Sequence, residues 1–359
     1  MRPLVTAEIE SLTAYEAGLP IEHVLREYGV SRVVKLASNE NPLGPSPRAL
    51  EVVQRASREV HRYPDASAYE LKHALAAELG VRAGEIVVGN GSNELLELLV
   101  RTFVTRDQHV VFADPSFVVY KMACLAQGVP FTAVPLRDFR HDLPAMARAL
   151  RDETRVVFIA NPNNPTGTYV TTDELTSFLA AVPREVIVAL DEAYFEYADA
   201  TDYPDGLRLR ALHERLVVLR TFSKIHGLAG LRLGYAVMPE LLADYVNRVR
   251  APFNANSLAQ AAGVAALGDT AHVTRSRAHN LRERAILRTR LRELGLRVVE
   301  SQANFVFVDL GRPCRPVFEQ LLRRGCIIRP MGETRFARIS VGETGDAERL
   351  CTALQEVLS

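Results

Sequence analysis

The chain has 359 residues, 48% of them hydrophobic, which is enough for a large core and a smaller second unit. Basic and acidic residues number 43 each, so the overall charge excludes binding of nucleic acid or an anionic membrane through a broad field and favours a small ligand in a local site. The four cysteines are far apart, without a Cys-x-x-Cys pair, and nowhere do about 18 uncharged apolar residues follow one another. We therefore expect reduced thiols, no metal centre, no export signal or membrane span, and a cytoplasmic protein.

Short apolar runs alternate with stretches of helical spacing between residues 86 and 237. The runs lie at 85–89, 109–112, 155–159, 185–190 and 216–219. They are apolar at consecutive positions, as in strands that are buried on both faces of a parallel sheet. Helices are predicted at 94–100 and from 172 onward, where polar residues can cap them. The pattern predicts an α/β unit whose ligands bind beyond the carboxyl ends of its strands.

The pattern changes after Pro252. Helices are predicted from about 257, near 317, and from about 272 to 294, where many arginines indicate a solvated face; strand-like runs lie at 303–308, 326–329 and 337–341. We predict a large α/β/α domain with a mostly parallel sheet over residues 36–250 and a smaller α+β domain over residues 251–359. The N-terminal arm, residues 1–35, has no place in the sheet, and we expect it to pack on the smaller domain or on a partner subunit.

The first candidate site is the glycine turn Gly89-Asn-Gly-Ser-Asn-Glu94, between a strand and a helix. Backbone N–H groups and a hydroxyl at a helix start suit a phosphate. Glu94 replaces the third glycine of the dinucleotide fingerprint and would put a carboxylate near a pyrophosphate. A monophosphate therefore fits better than a dinucleotide.

The second candidate is the loop Asn161-Pro-Asn-Asn-Pro-Thr-Gly167, which again follows a buried strand. Proline and glycine fix a tight loop, and an asparagine amide held there can donate a hydrogen bond to a phenolate oxygen. Taken alone, the loop is equally well a simple turn.

The third candidate is Asp191, at the end of the apolar run 186–190. A carboxylate buried there needs a positive partner, and a protonated pyridine nitrogen would serve, which makes the ring an electron sink. A helix N-cap and a magnesium ligand are the alternatives.

The fourth candidate is Lys224, the one lysine in a segment of hydroxyl, glycine and apolar residues that runs from Thr221 to Tyr235. A partly desolvated lysine loses proton affinity and can form an imine with an aldehyde. Ser223 and Arg232 are suited to hold a phosphate nearby. A surface lysine after a strand is the plainer alternative.

Together and in this order, the four segments resemble those of the fold-type I pyridoxal-5′-phosphate (PLP) enzymes. Within that superfamily the chain is most similar to the histidinol-phosphate aminotransferase family, over nearly its whole length. The segments that carry this similarity are 35–45 (Lys-Leu-Ala-Ser-Asn-Glu-Asn-Pro-Leu-Gly-Pro), 62–65 (Arg-Tyr-Pro-Asp), the Asn-Pro-Thr-Gly loop, 191–194 (Asp-Glu-Ala-Tyr) and 338–342 (Arg-Ile-Ser-Val-Gly). The resemblance implies the fold of a fold-type I PLP-dependent transferase.

The resemblance also implies roles for the residues around the cofactor. Lys224 resembles the lysine that carries PLP as a Schiff base and later moves a proton between the substrate α-carbon and the cofactor. Asp191 resembles the partner of the pyridine nitrogen, and Asn164 and Tyr194 resemble the donors to the 3′-oxygen. The residues that resemble the phosphate site are Ser92, Asn93, Ser223 and Arg232, with Tyr63 supplied by the other subunit of a homodimer.

Phe117 stands where this family usually has a tyrosine that stacks on the pyridine ring. Phenylalanine can stack on the ring but cannot donate a hydrogen bond.

Arg338, with Arg329 as a possible helper, resembles the arginine that receives the substrate anion, because a guanidinium accepts either a carboxylate or a phosphate. A strand-end salt bridge is the alternative for Arg329. Tyr15 resembles a residue near the substrate side chain. The segment between the two arginines is shorter than usual in the family, and Arg335 within it is a further candidate contact.

The implied reaction transfers the amino group of L-histidinol phosphate to 2-oxoglutarate, which yields imidazole-acetol phosphate and L-glutamate in histidine biosynthesis. An aromatic amino-acid aminotransferase of the same subgroup is the alternative, and Phe117 favours it. A threonine-phosphate decarboxylase would use the same lysine. A catalytically silent PLP-binding regulator is the alternative of another class, and the presence of Lys224, Asp191 and Asn164 argues against it.

His226, beside the lysine, is better explained by packing than by catalysis.

Overall fold

The computed structural model describes residues 4–14 and 18–359. Its strands are β1 Val34–Lys35, β2 Ile86–Gly89, β3 His109–Asp114, β4 Phe131–Pro135, β5 Thr154–Ala160, β6 Ile187–Asp191, β7 Leu216–Thr221, β8 Gly234–Val237, β9 Arg297–Val299, β10 Phe305–Asp309, β11 Cys326–Ile327, β12 Arg329–Pro330 and β13 Phe336–Ser340. Its α-helices are α1 Ala7–Glu10, α2 Ile21–Tyr28, α3 Pro47–Ala56, α4 Tyr69–Leu79, α5 Ser92–Phe103, α6 Val119–Gln127, α7 Leu143–Arg148, α8 Thr172–Ala181, α9 Gly206–Leu209, α10 Glu240–Val249, α11 Ser257–Leu267, α12 Thr270–Glu293, α13 Cys314–Leu322 and α14 Asp346–Leu358. In these two ranges no helix combines the length and the hydrophobicity that crossing a membrane requires.

Seven strands form the large sheet, in the order β2-β8-β7-β6-β5-β3-β4. All are parallel except β8, which runs antiparallel to both of its neighbours. The predicted mostly parallel sheet is therefore confirmed. Sequence analysis did not identify β4 or β8. β8 is only four residues long, and β4 is an edge strand with partly exposed side chains.

The consecutive apolar residues of the central strands supply two separate cores. In β5, Val156 and Phe158 face a cluster shared with α5, α6 and α10, whereas Val157 and Ile159 face a cluster shared with α7 and α8. Successive side chains of a strand point to opposite faces, so such a strand needs helices on both sides. The result is the predicted α/β/α arrangement, and it fixes the carboxyl ends of β5, β6 and β7 at one edge.

The C-terminal part has a four-stranded antiparallel sheet in the order β12-β13-β10-β9. Helices α12, α13 and α14 share its core, which confirms the predicted α+β character. β1 pairs in parallel with β11 and so joins the N-terminal segment to this part of the molecule. α11 packs on α3 and α4, in a core shared with β2 and β8. The cysteines are free and buried.

The arginine-rich helix α12 is only partly a solvated face. Arg284 lies on its buried side and donates hydrogen bonds to Asp199 at 2.6 Å and to the carbonyl of Ala303 at 3.0 Å. A cationic side chain is stable in such a position because both of its partners are acceptors.

A buried ion cluster connects the ends of β6 and β7. Arg220, 5% exposed, donates to Glu192 Oε2 at 2.8 Å and 3.0 Å and to Asp205 Oδ1 at 3.0 Å, and its guanidinium lies 3.6 Å from the ring centre of Phe195. Glu192 is fully buried and also accepts the backbone N–H of Gly206 at 2.8 Å. Because these residues adjoin Asp191 and Thr221, the cluster holds together the two strand ends that carry the candidate site.

We expect Arg220→Met to lower the free energy of unfolding by roughly 3–5 kcal/mol, because it leaves the Glu192 carboxylate buried without its cation. Arg208→Met is the control: Arg208 pairs with the same Asp205 at 3.4 Å but is largely exposed, so its loss should cost at most about 1 kcal/mol. Urea unfolding followed by circular dichroism measures both changes. Equal effects of the two substitutions would show that the buried cluster stabilises the fold no more than an exposed ion pair does.

Candidate active site

A cavity of about 350 Å³ opens at the carboxyl ends of the parallel strands, between the large sheet and the C-terminal sheet. Its size lies in the range of small-molecule sites. The residues from the sequence prediction that line it are Ser92, Asn93, Phe117, Asn164, Asp191, Tyr194, Ser223, Lys224, Arg232, Arg329 and Arg338. The structure therefore brings together side chains that follow five different strands of the large sheet with two arginines from β12 and β13.

Lys224 follows β7 and points its amine toward the ring of Tyr194, whose centre lies 5.6 Å from Nζ. Burial, and to a lesser extent the positive charges of Arg338 and Arg232, lower the pKa of Lys224 to about 8. The unprotonated amine, which is the state that attacks a carbonyl carbon, is therefore much more abundant near neutral pH than it is for an ordinary lysine.

Asp191 ends β6 and is 5% exposed. Its Oδ2 accepts a hydrogen bond from the hydroxyl of Tyr120 at 2.8 Å, and its Oδ1 accepts the backbone N–H of Ala193 at 3.2 Å. Burial raises the pKa of Asp191 to about 6, and these two hydrogen bonds limit the rise. A cation brought against this carboxylate would stabilise its charged form.

The turn after β2 forms a side of the cavity that presents hydrogen-bond donors. Gly91 has a φ of 78°, and a Cβ at this position would lie 2.5 Å from Nη2 of Arg232, so the guanidinium packs directly on the turn. Arg232 also donates to Ser223 Oγ at 3.3 Å, and Ser92 begins α5. A guanidinium, a hydroxyl and the N-terminus of a 12-residue helix converge here, which is a suitable donor set for a phosphate.

Glu94 does not place its carboxylate in this donor set. Its Oε2 accepts the backbone N–H of Asn90 at 2.6 Å and the side-chain amide of Asn254 at 2.7 Å. The residue that distinguishes this turn from the dinucleotide fingerprint therefore stabilises the turn itself.

Arg338 and Asn164 contact each other across the cavity. Nη1 of Arg338 donates to Oδ1 of Asn164 at 2.7 Å, and Nη2 donates to the carbonyl of Ala37 at 2.6 Å. Asn164 Oδ1 is the acceptor in this pair, so its amide N–H₂ group is directed elsewhere. In β12, Arg329 pairs with Arg338 in register, which places two cations at the same edge of the cavity.

The segment 38–41 connects both sheets at the cavity. Asn39, with a φ of 55°, donates from Nδ2 to the hydroxyl of Tyr194 at 3.0 Å and accepts from Ser340 Oγ at 2.7 Å. Asn304 donates to the carbonyl of Asn39 at 3.0 Å. This segment therefore aligns Tyr194 with the C-terminal sheet.

Two predicted site residues lie apart from the cavity or outside the described residues. Tyr63 is 83% exposed and stacks on Phe253 with ring centres 4.7 Å apart, away from the cavity of its own chain. Tyr15 lies outside the described residues.

Two lesser candidates have structural explanations. Arg335 donates to both carboxylate oxygens of Asp309, at 2.5 Å and 2.6 Å, and is not part of the cavity wall. The imidazole of His226 packs on Phe222 with ring centres 4.9 Å apart, and burial lowers its pKa to about 4, so it is neutral at physiological pH.

Tyr120, Asn39 and Glu40 were not predicted as site residues. Asn39 and Glu40 line the cavity. They lie within the segment 35–45 that carries the family resemblance, and this motif could have indicated them. Tyr120 follows Phe117 by three residues, which is one turn of a helix, but no local pattern indicates that its hydroxyl reaches Asp191.

Comparison with known proteins places this geometry in a family. The family model named "aminotransferase class I and II" matches residues 31–354 of this chain. The chain belongs to the class I and II aminotransferases. This assignment confirms the predicted enzyme class and a fold that fold-type I PLP-dependent enzymes share.

The relatives of this aminotransferase indicate which group within the family it resembles. It is 54% identical to a histidinol-phosphate aminotransferase of an Anaeromyxobacter species, over 99% of both chains, and 48% identical to that of Moorella thermoacetica, over 99% of this chain and 94% of the relative. A crystal structure of histidinol-phosphate aminotransferase from Sinorhizobium meliloti in complex with pyridoxal-5′-phosphate matches with a TM-score of 0.89 and 29% identity, over 99% of this chain and 97% of that one. The predicted family is confirmed.

Proposed function

We propose that this aminotransferase uses PLP to transfer the amino group of L-histidinol phosphate to 2-oxoglutarate, in histidine biosynthesis. The observation that carries the proposal is that Lys224 shares one cavity with Arg232 at the donor-rich turn and with Arg329 and Arg338 of the C-terminal sheet. Arg232 suits the cofactor phosphate, and the other two arginines suit a substrate anion. The full-length identity to histidinol-phosphate aminotransferases supports this choice of substrate.

The residues of the cavity fit PLP. We assign Lys224 to the aldehyde carbon, Asp191 to the pyridine nitrogen, and Asn164 and Tyr194 to the 3′-oxygen, with Phe117 against the ring. The phosphate would contact Ser92, Asn93, Ser223 and Arg232. The donor set at the Gly91 turn and the buried acid at the end of β6 support this assignment, since the first suits an anion and the second suits a cation.

PLP, when bound, supplies an electron sink that stabilises negative charge at the substrate α-carbon. Lys224 Nζ then moves a proton to and from that carbon, because its lowered pKa lets the amine act as a base near neutral pH. Asp191 holds a proton on the ring nitrogen through its negative charge. Arg338 and Arg329 orient the substrate by its phosphate or carboxylate, and Phe117 limits the access of water to the ring face.

The rate of PLP uptake by the apoprotein should rise with pH through about 8, because the attacking amine of Lys224 must lose its proton and its pKa is lowered to about 8. Below that pH the protonated amine predominates and uptake slows. Stopped-flow absorbance between pH 6.5 and 9.5 measures the profile. A profile that rises only toward pH 10.5, the ordinary lysine value, would contradict the description of this cavity.

A single-turnover experiment tests the choice of substrate. The PLP-loaded protein is mixed separately with L-histidinol phosphate, L-glutamate and L-phenylalanine, and the cofactor absorbance is followed. We expect rapid conversion with histidinol phosphate and glutamate and slow conversion with phenylalanine. Rapid conversion by phenylalanine with slow conversion by histidinol phosphate would assign the chain to the aromatic aminotransferases instead.

We further propose that the protein is a cytoplasmic homodimer in which Tyr63 reaches the cofactor phosphate of the other subunit. Tyr63 stacks on Phe253, which is also exposed at 42%, and Val60 beside the same surface cleft is 62% exposed. Such a surface is typical of an interface. Sedimentation equilibrium should give twice the chain mass, and Tyr63→Ala should weaken PLP binding. A monomer would contradict this arrangement.

The chain is proposed to divide into two domains. We propose a large PLP-binding domain over residues 36–250 and a small domain over residues 251–359, with the arm 1–35 packed beside it. The pairing of β1 with β11 supports the placement of the arm, and the core that α12, α13 and α14 share with the C-terminal sheet supports a separate small domain. Limited proteolysis would locate the boundary.

A further inference from the structure

Tyr120 lies behind the candidate site, in α6, and no part of its side chain is exposed. Its ring stacks on Phe158 of β5, with centres 4.8 Å apart and an angle of 3° between the planes, and meets Phe117 edge-on at 5.9 Å. These contacts hold the ring in one orientation. The hydroxyl therefore points at Oδ2 of Asp191, 2.8 Å away.

We propose that Tyr120 is a positioning residue that orients Asp191 and keeps it ionised so that the carboxylate can pair with the pyridinium nitrogen of PLP. This inference rests on the proposed function. A hydroxyl that donates to a carboxylate stabilises its charged form and restricts its rotation. With Oδ2 held by Tyr120 and Oδ1 by the N–H of Ala193, the plane of the carboxylate is fixed before the cofactor arrives.

Charge around Asp191 supports this role for Tyr120. Within the described part of the chain, the titratable groups that face the carboxylate are Tyr120 from α6 and Lys224 from the segment after β7. Burial raises the pKa of Asp191 to about 6, whereas Tyr120, the backbone N–H of Ala193 and Lys224 lower it. Burial and the neighbouring Asp191 keep the pKa of Tyr120 well above its usual value, so the phenol remains a donor. Without the phenol, the pKa of Asp191 would rise further.

Tyr120→Phe tests the inference, because it removes the hydroxyl and retains the ring. We expect the PLP dissociation constant of the apoprotein at pH 8 to rise roughly tenfold, the scale of a hydrogen bond to a charged group. The increase should be larger at pH 6.5. A protonated Asp191 must release its proton to bind the pyridinium, and in the variant protonation begins at a higher pH. Tyr197→Phe, which removes another buried tyrosine hydroxyl, is the matched control and should leave PLP binding unchanged.

A double-mutant cycle separates a role exerted through Asp191 from a general effect on packing. In an Asp191→Asn background, Tyr120→Phe should change the PLP dissociation constant by no more than about twofold, because the carboxylate through which Tyr120 acts is already absent and about twofold is the usual scatter of such a cycle. The same loss of affinity in both backgrounds, or no loss in either, would overturn the inference. Failure of the unsubstituted chain to bind PLP would instead overturn the proposed function. Thermal unfolding of each apoprotein checks that the folded state is retained.

Discussion

Lys224→Ala is expected to lower the rate of amino transfer by roughly 10⁴-fold, the upper end of what one positioned acid–base group contributes. In the proposed mechanism, the substitution removes the amine that moves the proton at the substrate α-carbon, and it also removes the covalent attachment of the cofactor. The phosphate contacts proposed for Ser223 and Arg232 would remain, so PLP should still bind, more weakly. Single-turnover absorbance after loading with PLP measures the loss.

Lys121→Ala is the matched control for this experiment. Lys121 is exposed on α6, next to the buried Tyr120, and is not among the residues that line the cavity. We expect its substitution to leave the rate unchanged. A Lys224→Ala variant that retained a rate near that of the control would show that another group moves the proton.

Arg338→Ala is expected to raise the KM of both L-histidinol phosphate and L-glutamate by roughly 10- to 100-fold, the scale of charge-assisted hydrogen bonds. The two substrates present a phosphate and a carboxylate, and one guanidinium can accept either. Because Arg338 also donates to Asn164 at 2.7 Å, its loss should in addition shift the pH dependence of the cofactor absorbance.

Arg335→Ala controls for the loss of positive charge in the same segment. Arg335 is bound to Asp309 outside the cavity and should have no effect on either KM. If Arg338→Ala left both KM values unchanged, Arg338 would not be the anion-binding residue and Arg329 would be the next to test.

The large sheet was predictable wherever a strand is buried on both faces. In β5 and β7, every residue or nearly every residue is buried, so the apolar runs reveal the strands directly. The antiparallel strand β8 was missed because Gly234-Tyr-Ala-Val237 is short and begins with glycine. A Cβ at Gly234 would collide with the backbone N of Ser92, so this glycine permits the close approach of β8 to α5.

The residues that line the cavity were largely predictable from motifs, whereas the contacts that hold them in place were not. Lys224, Asp191 and Arg338 each lie in a distinctive motif, and these motifs follow one another along the chain in a recognisable order. The hydrogen bonds of Asn39 to Tyr194 and of Tyr120 to Asp191 join residues 155 and 71 positions apart. No periodicity in one sequence records contacts over such separations, because they depend on how the sheets and helices pack.

The most direct test of the central claim is to treat the PLP-loaded protein with borohydride and locate the modified residue by peptide mass spectrometry. Reduction makes the bond between the cofactor aldehyde and a lysine amine permanent. We predict a single pyridoxyl adduct, on the peptide that contains Lys224. An adduct on another lysine, or none at all, would contradict the assignment of this cavity as a PLP site built on Lys224.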